Sequence, residues 1–191
     1  MSPERTASMR YLRIGIAVTC CVMLAAGFAF FRYEIKALFW HVTHGSSQQW
    51  SGLEIRVPLK YDVNVISSRS IQIFTLPGWL RARMKAAWGA ISIIHAKDEV
   101  EGTEIVQLNE SIATAQQEQG FRLVKTRSLV VAGTPMQCRE QLAENFRSYG
   151  PACIVHCQAE SKLLFVQFEG SAALLDEFYS VASGIRFAAK N

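Results

Sequence analysis

Five cysteines and four histidines are the side chains of this sequence best suited to chemistry. Their spacing limits what that chemistry can be. Cys138, Cys153 and Cys157 fall in stretches of alternating polar and apolar residues. Cys153 and Cys157 share one strand and point the same way, yet four residues at about 3.3 Å each put them roughly 13 Å apart. A disulfide needs Cα atoms within about 7 Å, so any bridge must use Cys138. Cys157 is its preferred partner and Cys153 the alternative; three reduced, buried thiols are the third possibility. A bridge leaves one cysteine over, either a reactive thiol or an inert buried one. His156 stands one and three positions from these cysteines, so in a strand it points to the opposite face from both. That argues against a Cys-His nucleophile pair and a Cys-His metal cluster. His41 and His44 share a helix face, but a zinc site wants three or four ligands, and they read as solvated histidines near a membrane interface. Asp98, Glu99 and Glu101 cluster in a loop before a helix, as a solvated acidic run or a weak calcium site. No phosphate-binding glycine loop, HExxH or GxSxG is present. No catalytic residue, metal ligand or cofactor is assigned, and the chain reads as a non-enzyme.

The clearest interaction feature is Trp79 to Trp88 (WLRARMKAAW). Leu80, Met84 and Trp88 recur at helical spacing with Arg81, Arg83 and Lys85 between them. Such a short basic amphipathic segment suits an anionic headgroup surface. The alternative is an ordinary domain helix with its apolar side on the sheet. The membrane-surface candidates are Trp79, Arg81, Arg83, Lys85 and Trp88.

What must position these groups begins at the N-terminus. Ile14 to Phe31 (IGIAVTCCVMLAAGFAFF) carries no charge, and Cys20 and Cys21 inside it act as small apolar groups. About 18 residues at about 1.5 Å each span about 27 Å, close to the thickness of a bilayer core. Three readings compete: an uncleaved anchor, a cleaved signal peptide with small residues at Ala25-Ala26-Gly27, and a buried core helix. The continuing Phe28, Phe30 and Phe31 favour the anchor. Arg5, Arg10 and Arg13 precede the run against Glu4, while Arg32 and Lys36 follow it against Glu34. That bias favours an N-terminus in the cytoplasm, in the inner membrane, with the rest in the periplasm or its equivalent. The expected organisation is a tail over 1–13, an anchor helix and its extension over 14–44, a linker over 45–49 and one domain over 50–191. An independently folding fragment is expected to start near Gln48.

The formal net charge is +4, but +3 of it lies before residue 50, which leaves the domain at +1. A nearly neutral domain without a Lys/Arg stripe is a poor nucleic-acid binder, because phosphate neutralisation supplies most of that affinity.

Along the domain, alternation predicts strands at 54–57, 61–66, 71–76 and 90–95. A helix follows, with Gly102-Thr103 as its N-cap, Ile105, Leu108, Ile112 and Ala115 as its apolar face, and Gly120 at its end. Further strands are predicted at 121–126, 129–132 and 136–139, then a loop over 145–151 and a hairpin of 153–158 with 163–168. A last helix runs from Ser171 to about Ser183, and Ile185-Arg186-Phe187 returns as an edge strand. Strands, a helix, antiparallel strands and a closing helix make an α+β fold with helices packed on a mainly antiparallel sheet.

The opening Leu53-Glu54-Ile55-Arg56-Val57-Pro58 resembles the start of PsbP-like α/β/α sandwich domains. The closing Leu164 to Ser171, with its helix and Ile185-Arg186-Phe187, resembles their end. The resemblance implies a small extracytoplasmic sandwich used for binding or assembly, and transfers no residue role. The resulting expectation is a single-pass, membrane-anchored, non-catalytic module partnered by the lipid bilayer and another envelope protein. A thiol-redox enzyme using the unpaired domain cysteine and a small-ligand or lipid carrier are the alternatives; the carrier needs a large apolar cavity.

Overall fold

The computed structural model describes residues 3–77, 86–146 and 150–188, with side chains from residue 15 onward. Helix α1 (Pro3–His44) departs from helical geometry at one residue, Phe31, where φ is −109° and ψ is 16°. The kink falls where the apolar run ends. Gly15–His44 is long and apolar enough to cross a membrane, and the most apolar window within it is not buried by the rest of the chain.

Beyond the kink α1 joins the domain. Ala37 is buried and Trp40 belongs to the main core. Lys36 pairs with the buried Asp62 at 2.6 Å. The ring nitrogens of His41 lie 2.8 Å from the Gly45 carbonyl oxygen and 3.0 Å from that of Pro58. His44 stacks on Trp40 with 5.1 Å between ring centroids. His41 is therefore built into the seam between helix and domain, because the helix end is covered by the chain that follows it, whereas His44 stays exposed against Trp40 of its own helix.

Strand β1 (Ser47–Trp50) starts two residues after the turn at Gly45 and pairs with β2 (Leu53–Arg56), which pairs in turn with β10 (Arg186–Phe187). Residues 47–49 are thus strand and not linker: their backbone pairs with Glu54, Ile55 and Arg56. With Trp40 in the core, the packed unit reaches back into α1, ahead of the boundary expected near Gln48.

The large sheet is antiparallel throughout, in the order β3-β4-β5-β9-β8-β7-β6. Its strands are β3 (Asp62–Ser67), β4 (Ser70–Thr75), β5 (Gly89–His95), β6 (Arg122–Val131), β7 (Thr134–Ala143), β8 (Ala152–Ala159) and β9 (Leu164–Ser171). Alternation divides its two faces. Ile71, Ile73, Ile91, Ile93, Val155 and Val166 are among the buried residues on one face. They pack with Phe178, Val181 and Ala182 of helix α3 (Leu175–Ser183) and with the small sheet in one core.

Helix α2 (Glu99–Glu118) links β5 to the far edge strand β6 and crosses the other face. Its N-cap is Asp98 and not Gly102-Thr103: the Asp98 carboxylate accepts the Glu101 N–H at 2.9 Å. Glu101 accepts from the Lys97 N–H and from Arg69, each at 2.6 Å. The acidic cluster is therefore the helix's first turn, where carboxylates satisfy open amides and oppose the helix dipole.

The helix is also rotated from the expected orientation. Leu108 is 59 % and Ile112 39 % exposed, whereas Gly102 is buried and Val106, Asn109 and Ala113 are half-buried. The sheet face beneath is polar, with Gln72, Ser92, Arg139, His156 and Gln167 on it. It is met by a polar contact, Gln167 Nε2 donating to Asn109 Oδ1 at 2.9 Å. Gly102 fixes the rotation: a Cβ there would lie 2.0 Å from the Lys162 carbonyl oxygen.

Candidate functional site

The three domain cysteines share the core face of the sheet. Cys138 and Cys157 are directly paired across β7 and β8 and form a disulfide. Cys153 is a free, buried thiol four residues away on β8, and Cys20 and Cys21 are free on α1. Burial, and next the neighbouring Glu140 carboxylate, push the Cys153 thiol up to about 12, with Arg127 opposing weakly. A thiol so held stays protonated at neutral pH and is a poor nucleophile. His156 points to the α2 side, away from both core cysteines. Burial and then the Arg139 charge lower its pKa, which favours the neutral ring. It lines a polar cleft of about 460 Å³ under α2 with Asn109, Gln137, Arg139 and Gln158. Among the described residues, no group of three or more His, Cys, Asp or Glu could hold a metal ion.

One buried cluster escaped sequence reasoning. Glu140 is 3 % exposed within the core face of β7. It pairs with the Arg127 guanidinium across β6 and accepts the Tyr179 hydroxyl at 2.8 Å, while Arg127 lies over the Tyr179 ring. A lone Glu in a strand carries no signal of burial. Only the i, i+2 series Met136, Cys138, Glu140 hinted that it faced inward.

Of the membrane-surface candidates, Trp79, Arg81, Arg83 and Lys85 lie outside the described residues. Trp88 is described and half-buried. It packs against a satellite core of Phe121, Ala143, Phe146, Ala152 and Ile154, with its ring 6.4 Å from Phe146 and Phe121 5.1 Å from Phe146. Beside this small core opens an apolar cleft of about 560 Å³, whose walls include Tyr33, Trp88, Ile112, Ala115, Phe121 and Phe146. Leu76 and Pro77 also reach it, so the chain enters and leaves the Trp79–Trp88 segment at its rim. Its described polar groups are Gln116, Gln119 and Glu169. Tyr33 belongs to α1, two residues past the kink, and Arg32 donates to its hydroxyl at 2.7 Å while lying over its ring. The cleft thus opens where the long apolar helix enters the domain.

Fold and site together define an α+β sandwich held at the end of a membrane-length helix. No family model and no curated protein matches the chain. Among solved structures it is similar to cyanobacterial PsbP (CyanoP) from Synechocystis sp. PCC 6803, at 12 % identity and a TM-score of 0.45, covering 75 % of this chain and 93 % of that one. The resemblance is weak, concerns the fold alone and carries no residue role across.

Proposed function

We propose that the protein is a single-pass, membrane-anchored binding or assembly module, with its α+β domain held on the extracytoplasmic face of the inner membrane and its N-terminus in the cytoplasm. The supporting observation is the docking of α1 into the domain through Ala37, Trp40, His41 and the Lys36–Asp62 pair. A domain joined this way is held at the bilayer surface, as a module serving a neighbouring membrane protein would be. The Trp79–Trp88 segment fits the same role. The described residues that flank it, Leu76, Pro77 and Trp88, line the same cleft as Tyr33, close to where the span ends. The thiol-enzyme alternative finds less support, since Cys153 is buried and its thiol is held protonated.

The test is crosslinking of the full chain in intact membranes, followed by purification. The reading expects the chain to resist an alkaline wash and to carry a defined envelope protein crosslinked through the domain. Release by the alkaline wash, or recovery of the chain without a crosslinked protein, overturns it. Protease accessibility from the periplasmic side alone is expected for the domain, and accessibility from the cytoplasmic side alone reverses the orientation.

A further inference from the structure

The apolar cleft has no role in an account based on anchoring alone. Its walls are large and apolar, and its volume of about 560 Å³ lies within the range of about 300–1,000 Å³ usual for ligand pockets. It is continuous with a second apolar surface, because Ile112 and Ala115 line the cleft and also belong to the exposed side of α2 that carries Leu108. Left to water, such a surface is unfavourable, and a stretch of this kind marks a place where something sits. The position of the mouth says what that is. Tyr33 forms part of it, two residues beyond the end of the apolar run, so the cleft opens at the interfacial level and not toward bulk solvent. The charges at hand match a lipid head. Arg32 stands on Tyr33 at the anchor side, and Glu169 lines the cleft. A zwitterionic phospholipid brings a phosphate for the first and an ammonium for the second.

We infer that this cleft seats an acyl chain of a zwitterionic phospholipid drawn from the adjoining leaflet, which makes the domain a lipid-binding module as well as an anchored one. The inference rests on the membrane reading. An acyl chain in the bilayer is already in an apolar medium, so the gain comes from covering the cleft walls. Tyr33, Leu76, Ile112 and Ala115, the exposed and half-exposed parts of the wall, exchange water for hydrocarbon, and the mouth holds the head.

The experiment uses the full chain in nanodiscs containing a phosphatidylethanolamine with a diazirine in one acyl chain. After illumination, adducts are mapped by mass spectrometry in wild type, in Ala115→Trp, which fills the cleft from its exposed rim, and in Leu108→Trp, on the same helix outside it. Adducts on Ile14–Phe31 report that the chain is in the bilayer. The expected result is a second set of adducts on cleft peptides that contain Ile112, Phe121 or Ile154, lost in Ala115→Trp and kept in Leu108→Trp. Adducts confined to Ile14–Phe31 overturn the cleft and leave the anchor standing. Cleft adducts unchanged by Ala115→Trp overturn it as well, and so does a crosslinked dimer joined through the cleft, which would assign the surface to a second copy of this chain. Absence of adducts from Ile14–Phe31 refutes the membrane reading itself.

Discussion

Replacing Gly102 with alanine separates two physical effects of opposite sign. By intrinsic propensity, alanine within a helix is favoured over glycine by about 1 kcal/mol. By geometry, the new Cβ would sit 2.0 Å from the Lys162 carbonyl oxygen, where ordinary contact begins near 3.4 Å. The oxygen cannot swing aside easily. It is backbone, in a hairpin turn where Lys162 has φ of +55° and donates its N–H to Ala159 at 2.9 Å. Relief therefore requires the first turn of α2 to lift by more than 1 Å. That strains the Asp98 cap and the two bonds to Glu101. Overpacking of this kind costs up to about 3 kcal/mol, so after the propensity gain the variant should be less stable by about 2 kcal/mol. The assay is denaturant unfolding of the full chain in detergent micelles, followed by tryptophan fluorescence, with Ser111→Ala on the exposed side of α2 as the control. A variant stabilised by about 1 kcal/mol would mean that α2 is not pinned at the hairpin, and the account of its rotation would fail.

Four further outcomes are expected. Replacing Cys138 and Cys157 together with alanine should lower stability by about 3 kcal/mol in the chain-entropy model, read as a lower denaturation midpoint than that of the oxidised protein. Cys153 should resist thiol reagents at neutral pH in the folded chain and react on unfolding, as followed by peptide mapping. Because its folded pKa is raised from 9.0 to about 12, its contribution to stability is complete below 9.0 and lost as the pH rises toward 12, and rapid labelling of the native thiol would refute this. His156 has a lowered folded pKa, so its contribution is present above 6.5 and lost as the pH falls through the folded value. His156→Gln should therefore flatten the acid limb of the stability profile. Arg127→Met strands the buried Glu140 and should cost about 2 kcal/mol, at the low end for buried pairs because Arg127 is 38 % exposed, while adding Glu140→Gln should restore most of it.

Strands were legible in the sequence where burial alternates. Ile71/Ile73 and Ile91/Ile93 place β4 and β5 within a residue of their expected bounds, and the start of β9 is placed equally well, although that strand runs three residues further, to Ser171. The orientation of α2 was not legible, because periodicity reports which residues are apolar and not which surface lies opposite. Leu108 and Ile112 form the stronger stripe, yet a polar sheet face selects Asn109. The anchor's extension was legible as helix, while its role as part of the core was not, since a lone Trp40 after the apolar run carries no signal of what packs against it. The cleft was invisible for the same reason. Tyr33, Ile112, Phe121 and Phe146 are scattered through the sequence and meet only through the crossing of α2 and the kink at Phe31.

That kink and the seat beyond it tie the domain's heading to a residue count. A flexible tether would let the domain swivel. Here α1 reaches the core at Trp40, seven residues before strand β1 begins at Ser47. Adding one residue between Phe31 and Arg32 would turn the whole domain about the helix axis by about 100° and shift its height by about 1.5 Å. It would aim the cleft in a different direction while keeping Tyr33 and all that follows it in register with the domain. Phase along this helix, more than the chemistry of any single surface residue, sets which way the domain faces relative to the apolar span.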